Sequence, residues 1–279
     1  VSGLPGRVVV YGGGRMGAGI AHAFASRGSE VTILEVDDDA AARALARVER
    51  DLRRSAGDDA GRVGSRLAVA SDPRVLAGAE LVIEAVPERP DVKLQVLRTA
   101  HRYAPDAVLA SNTSSLSIDE LADGLPRPEL FVGLHFFNPV PASTLVEIVV
   151  GRMTAATLVE RATSWVEALG KAAVTIRDSP GFASSRLGVA LALEAIRMVE
   201  EGVATAEDID NVLVLGYRHA TGPLRTTDLV GLDVRLAIAE ELASKLGPRF
   251  APPRLLVEKV AAGELGRKSG RGFFDWPRP

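Results

Sequence analysis

Residues 7–35 constrain the fold of this chain more than any other stretch. Arg7-Val8-Val9-Val10-Tyr11 is a short β-branched run, the pattern of a buried parallel strand. It leads directly into Gly12-Gly13-Gly14-Arg15-Met16-Gly17, which fits G-x-G-x-x-G at 12, 14 and 17. A small-residue helix follows over 18–27, then a strand at Val31-Thr32-Ile33-Leu34 with Glu35 at its end. A glycine turn alone is weak evidence. Strand, turn, helix, strand and an acid eighteen residues beyond the last glycine together predict a dinucleotide-binding βαβ unit. Gly12 permits the tight turn, Gly14 the approach of a pyrophosphate, and Gly17 close packing of helix on strand. The expected cofactor loop is Gly12, Gly14, Arg15, Met16 and Gly17, with the pyrophosphate at a helix N-terminus that favours anions. Glu35 is placed to accept from the adenosine ribose hydroxyls and to repel a 2′-phosphate, which favours NAD over NADP.

The strand–helix alternation continues. Further strands are expected at 66–70, 81–86, 107–111, 131–135, 145–150 and 173–176, with helices at 39–54, from Lys93 onward, at 118–122 and at 155–169. In an open sheet of this kind ligands bind beyond the C-terminal ends of the strands. Glu88, Asn112 and Ser114 fall at such ends, although Ser117 or a neighbour also suits a helix cap. His135 ends the sixth expected strand and is one of only four histidines. Glu147 lies inside the apolar run Leu145-Val146-Glu147-Ile148-Val149-Val150, where a buried carboxylate needs a partner. His135 is the obvious one. Taken alone, His135 reads equally well as an ordinary buried histidine; a cofactor loop on the same sheet edge favours chemistry.

The pattern changes at Asp178-Ser179-Pro180-Gly181-Phe182. Beyond this turn no βα unit recurs, and helices are expected at 183–201, 206–215, 228–246 and 253–262. The fold class is therefore α/β: a Rossmann-type doubly wound sheet over 1–180, binding NAD, followed by an all-α C-terminal domain over 181–279 for substrate and dimerisation. The 183–201 helix is apolar around much of its face, which suits a homodimer interface. The glycine-rich, basic tail over 265–272 carries Phe273, Phe274 and Trp276, which are expected to pack it back onto the body.

Composition narrows the function. Net charge is −3, and no basic block points to nucleic acid or a membrane surface. The absence of cysteine removes disulfides, thiolate nucleophiles and Cys-ligated zinc, and no metal site is expected. No apolar run of membrane-spanning length and no signal-peptide pattern is present, so the expected location is cytoplasmic.

The segments Gly12–Gly17, Ser111-Asn112-Thr113-Ser114-Ser115, Gly133–Pro141 with Glu147, Asp178–Phe182 and Gly266-Arg267-Lys268-Ser269-Gly270 resemble the L-3-hydroxyacyl-CoA dehydrogenase family. The likeness is to its bacterial 3-hydroxybutyryl-CoA members in particular, and it covers nearly the whole chain in order. It implies an NAD-dependent oxidoreductase acting at the C3 hydroxyl of a short-chain acyl-CoA, in fatty acid metabolism. His135 is then the general base and Glu147 its orienting partner. Ser114 and Asn138 hydrogen-bond to the reacting oxygen, the thioester or the nicotinamide side. Glu35, Glu88, Lys93 and Lys268 contact NAD.

Two departures bear on the substrate. Ser185 stands where the family usually has an asparagine that reaches the substrate. The segment between Glu35 and Glu88 is short, and Arg50, Arg53 and Arg54 read as a solvated helix face as readily as a phosphate contact. These leave open an acyl group on a carrier protein, a free hydroxy acid, or a non-catalytic NAD-binding protein. His219, in an unusual turn, reads as a loop residue.

Overall fold

The computed structural model describes residues 3–55 and 60–277. The chain divides into two compact units, Val1–Asp178 and Ser179–Pro279. In the first, eight strands form one sheet: β1 (Arg7–Tyr11), β2 (Glu30–Leu34), β3 (Leu67–Ala70), β4 (Leu81–Glu84), β5 (Val108–Ser111), β6 (Phe131–Phe136), β7 (Leu145–Val150) and β8 (Ala172–Arg177). Their spatial order is β3-β2-β1-β4-β5-β6-β7-β8. Every neighbouring pair is parallel except β6 and β7. The strand order reverses between β1 and β4, so their C-terminal ends open a crevice there.

Burial explains the sequence of the central strands. β4 and β5 are buried at every position, as expected of strands covered on both faces. The helices α1 (Arg15–Ser26), α2 (Asp38–Ser55), α3 (Ala60–Gly64), α4 (Pro90–Tyr103), α5 (Ile118–Ala122) and α6 (Ala156–Ala168) flank the sheet. Ile20 and Phe24 of α1 join Val8, Val10, Ile33 and Ile83 in one core. Of the loop expected at 55–61, residues 56–59 lie outside the described residues, as does the side chain of Arg54. Arg53 is largely exposed, with Glu49 3.9 Å away.

The second unit is helical: α7 (Ser184–Glu200), α8 (Ala206–Asn211), α9 (Pro223–Val230), α10 (Leu232–Leu246) and α11 (Arg254–Ala261). Two expected helices differ. The one expected at 206–215 is α-helical only to Asn211 and continues as a π-helical turn, Val212–Gly216. The one expected at 228–246 is broken between α9 and α10 by Gly231, whose φ is +107°. Such a backbone is open to glycine and ends the helix. The tail does pack back. Asp228, 1% exposed, accepts from the backbone N–H groups of Phe273 and Phe274, both at 2.9 Å, and from Trp276 Nε1 at 2.7 Å. Among the described residues no helix is long and apolar enough to cross a membrane.

Candidate active site

β6 and β7 pair antiparallel, and their register places His135 directly opposite Glu147. Strand alternation does the rest. Val132, Leu134, Phe136, Val146 and Ile148 enter the main core, so His135 and Glu147 share the other face of the sheet. His135 Nδ1 lies 2.7 Å from Glu147 Oε2, and the two side chains are 9% and 2% exposed. A carboxylate only accepts, so Nδ1 carries the proton and Nε2 is the basic nitrogen. The Phe137 ring, tilted 45° with its centroid 4.5 Å away, packs against the imidazole. The Asn138–Pro139 peptide that follows is cis.

His135 opens onto a pocket of about 330 Å³ whose wall also includes Met16, Glu88, Lys93, Ser114 and Asn138. Glu88, Ser114 and Asn138 arrive on the loops after β4, β5 and β6, and Met16 and Lys93 from the first turns of α1 and α4. Asn112, after β5, accepts from Phe136 N at 2.9 Å and so ties the ends of β5 and β6 together. Ser117 caps α5, accepting from Glu120 N.

The loop after β5 folds around Glu88. One oxygen, Oε1, accepts from Thr113 Oγ1 at 2.6 Å, Ser114 N at 2.9 Å and Ser115 N at 3.1 Å. Ser114 Oγ lies 3.4 Å from the same oxygen. The other, Oε2, is 3.1 Å from Lys93 Nζ. Burial alone would raise the Glu88 pKa, but the Lys93 charge and the Thr113 and Ser114 hydrogen bonds outweigh it and hold the carboxyl below its usual range.

Lys93 is 1% exposed and already engaged. Besides Glu88, its ammonium contacts Glu84 Oε1 at 2.6 Å and Val86 O at 3.2 Å. Glu84 is fully buried at the end of β4 and also accepts from Val86 N at 2.9 Å and Ser111 Oγ at 2.7 Å. Glu84 is a site residue not expected from the sequence. The signal was present: a carboxylate in the apolar run Leu81-Val82-Ile83-Glu84-Ala85-Val86, with a lysine nine residues on.

The glycine loop fits a dinucleotide. Gly12 has φ +103°, and a Cβ there would lie 2.9 Å from Ala85 O. At Gly17 a Cβ would stand 1.8 Å from Gly12 O, so only glycine lets α1 approach the turn. At Gly14, the N-cap of α1, nothing lies within 4 Å of that point and no side chain caps the helix. The first N–H groups of α1 therefore face a position open to a pyrophosphate. Arg15 is exposed beside it, and Met16 is half-buried. Glu35 Oε1 accepts from Gly13 N at 2.6 Å, which fixes the carboxylate just beyond β2, beside the glycine turn.

Ser185 and Lys268 belong to the second unit. Ser185 is half-buried in the first turn of α7. Lys268 Nζ is 2.6 Å from Asp233 Oδ1, and this hydrogen bond to Lys268 lowers the Asp233 pKa. His219 lies in an exposed loop. Among the described residues no group of three or more His, Cys, Asp or Glu could hold a metal ion.

Comparison with known proteins shows the family. Residues 7–179 match the family model of the 3-hydroxyacyl-CoA dehydrogenase NAD binding domain, and residues 181–276 match that of the C-terminal domain. The chain is 43% identical over 284 residues to a 3-hydroxybutyryl-CoA dehydrogenase of Mycobacterium tuberculosis, covering 97% of this chain and 98% of the relative. It is 40% identical over 278 residues to a probable 3-hydroxybutyryl-CoA dehydrogenase of Bacillus subtilis, covering 97% of each. The crystal structure of (S)-3-hydroxybutyryl-CoA dehydrogenase from Ralstonia eutropha superposes with a TM-score of 0.94 at 36% identity, over 98% of this chain and all of that one. Fold, cofactor loop and both family models agree: this chain belongs to the 3-hydroxyacyl-CoA dehydrogenase family, and its cofactor is NAD.

Proposed function

We propose that the chain catalyses the reversible NAD-dependent oxidation of the C3 hydroxyl of a short-chain 3-hydroxyacyl-CoA. The observation that carries this reading is the buried His135–Glu147 pair, 2.7 Å apart, on the wall of the pocket that also holds Ser114, Asn138 and Glu88. NAD, when bound, supplies the hydride acceptor. The protein must then hold the C3 carbon against it and take one proton from the hydroxyl. His135 Nε2 takes that proton as the O–H bond breaks, and Glu147 stabilises the imidazolium through Nδ1. Ser114 and Asn138, both on the wall of that pocket, hydrogen-bond to the reacting oxygen, the thioester or the nicotinamide side. Glu35, Glu88, Lys93 and the loop Gly12, Gly14, Arg15, Met16 and Gly17 hold the cofactor, and the family likeness assigns Lys268 to the cofactor and Ser185 to the substrate.

Relatives bearing the name 3-hydroxybutyryl-CoA dehydrogenase favour CoA as the handle over a carrier protein or a free acid. The test is NADH formation from L-3-hydroxybutyryl-CoA, the same acyl group on a carrier protein, and free 3-hydroxybutyrate, each with NAD and with NADP. The reading expects the CoA thioester with NAD to be turned over fastest. Preference for the carrier-bound or free acid would reject CoA as the handle.

A further inference from the structure

Three ionisable groups are joined through one ammonium: Glu88 and Lys93 line the pocket, and Glu84 lies buried behind them. Glu84 is 0% exposed and Lys93 1%. The wall member, Glu88, has a side chain 36% exposed. A lysine serving only as an anchor for a dinucleotide has no need of a second carboxylate beneath it, and burying one is costly unless it is paired. Glu84 is closer to the ammonium than Glu88 is, 2.6 Å against 3.1 Å, and it also receives Val86 N and Ser111 Oγ. Lys93 is therefore shared between the two carboxylates, and the cluster as a whole keeps one negative charge. Two carboxylates and one ammonium sum to −1.

The geometry points to Glu84 as a positioning residue that sets the charge of this pocket: by pairing with Lys93 it keeps the Glu88 wall net anionic, which favours the cationic, oxidised nicotinamide over the neutral, reduced one. The proposal rests on the reading of this pocket as the nicotinamide end of the NAD site. That ring carries a positive charge only in the oxidised form, so a nearby fixed charge changes the affinity ratio of the two forms. Steric or packing effects change both affinities together.

The charge count supplies the test. Glu84→Gln keeps the shape and brings the cluster to zero. Glu84→Gln combined with Lys93→Met removes the pair and returns it to −1, with Glu88 still held by Thr113, Ser114 and Ser115. Dissociation constants for NAD+ and NADH are measured by calorimetry on the intact protein. In Glu84→Gln the ratio of the NAD+ constant to the NADH constant is expected to rise roughly five- to tenfold, the effect of one charge about 10 Å away at an effective dielectric constant of about 30. In the double variant the ratio is expected to return close to that of the wild type. A ratio unchanged in Glu84→Gln, or one that stays shifted in the double variant, would overturn the proposal. Should Glu84→Gln not fold, Lys93→Met decides: it brings the cluster to −2 and the ratio is expected to fall by a similar factor, whereas an unchanged ratio would overturn the proposal. A wild-type protein that binds neither dinucleotide would bring down the cofactor reading itself, and this proposal with it.

Discussion

At the scale of single residues, the proposed reaction rests on an imidazole held by a carboxylate. Glu147 is buried with the His135 ring as its hydrogen-bond partner across the sheet. Glu147→Gln keeps the size but removes the charge that stabilises the imidazolium. Turnover is expected to fall by about 10² or more, within the usual worth of general acid–base help, while NAD affinity is kept. A rise in KM with kcat unchanged would argue for a binding role instead. Glu88 gives a pH prediction. Its folded pKa lies below the ordinary 4.5, so it stabilises the fold above that value, and the contribution is lost as pH falls through the folded pKa. Glu88→Gln should flatten the acid limb of a stability-against-pH curve without changing its alkaline side; an unchanged acid limb would contradict this. The His135–Glu147 pair was legible from sequence because a carboxylate in an apolar strand demands a partner, and the neighbouring strand supplied one. Glu84 escaped although the same argument applies to it: it ends its strand, where an acid passes for a solvated one, and its partner arrives from a helix nine residues on.

At the scale of elements, the glycine turn and α1 form one unit. The Gly17 Cα faces the Gly12 carbonyl so closely that an added Cβ would overlap it. Gly17→Ala is expected to destabilise the protein by about 3 kcal/mol, the upper end for overpacking, and to abolish NAD binding in calorimetry. Near-normal affinity would show that the turn yields more easily than its contacts imply. The tail is a second unit, anchored by Asp228. Asp228→Ala leaves three donors without their acceptor, at about 1–3 kcal/mol for each buried group. Limited proteolysis should then cut within 265–277, where the wild type resists; equal resistance would refute the anchor. The sheet was readable throughout because β-branched runs and turns mark each strand. The break at Gly231 was not, because one glycine within a helical pattern is often tolerated and its positive φ is set by tertiary contacts.

For the whole molecule, we infer a homodimer formed through the helical domain. α7 buries Val189, Leu193 and Ile196 within its own unit, yet leaves Leu187 71% and Leu191 37% exposed one turn apart. Val212, Leu215 and Tyr217 are exposed in the same unit. Light scattering at micromolar concentration should give twice the chain mass, and Leu187→Glu with Leu191→Glu should give one. A wild-type monomer would contradict the inference. The change from alternating strands to helices is plain in the sequence around Asp178–Phe182, but the partner of an apolar helix face cannot be read from periodicity, which does not separate a core from an interface.

The most direct measurement for the central claim is the initial rate of NADH formation from L-3-hydroxybutyryl-CoA by purified His135→Ala, with its NAD affinity measured alongside. The account predicts a rate lower than wild type by about 10²–10⁴ with NAD affinity retained. A wild-type rate in that variant would contradict it.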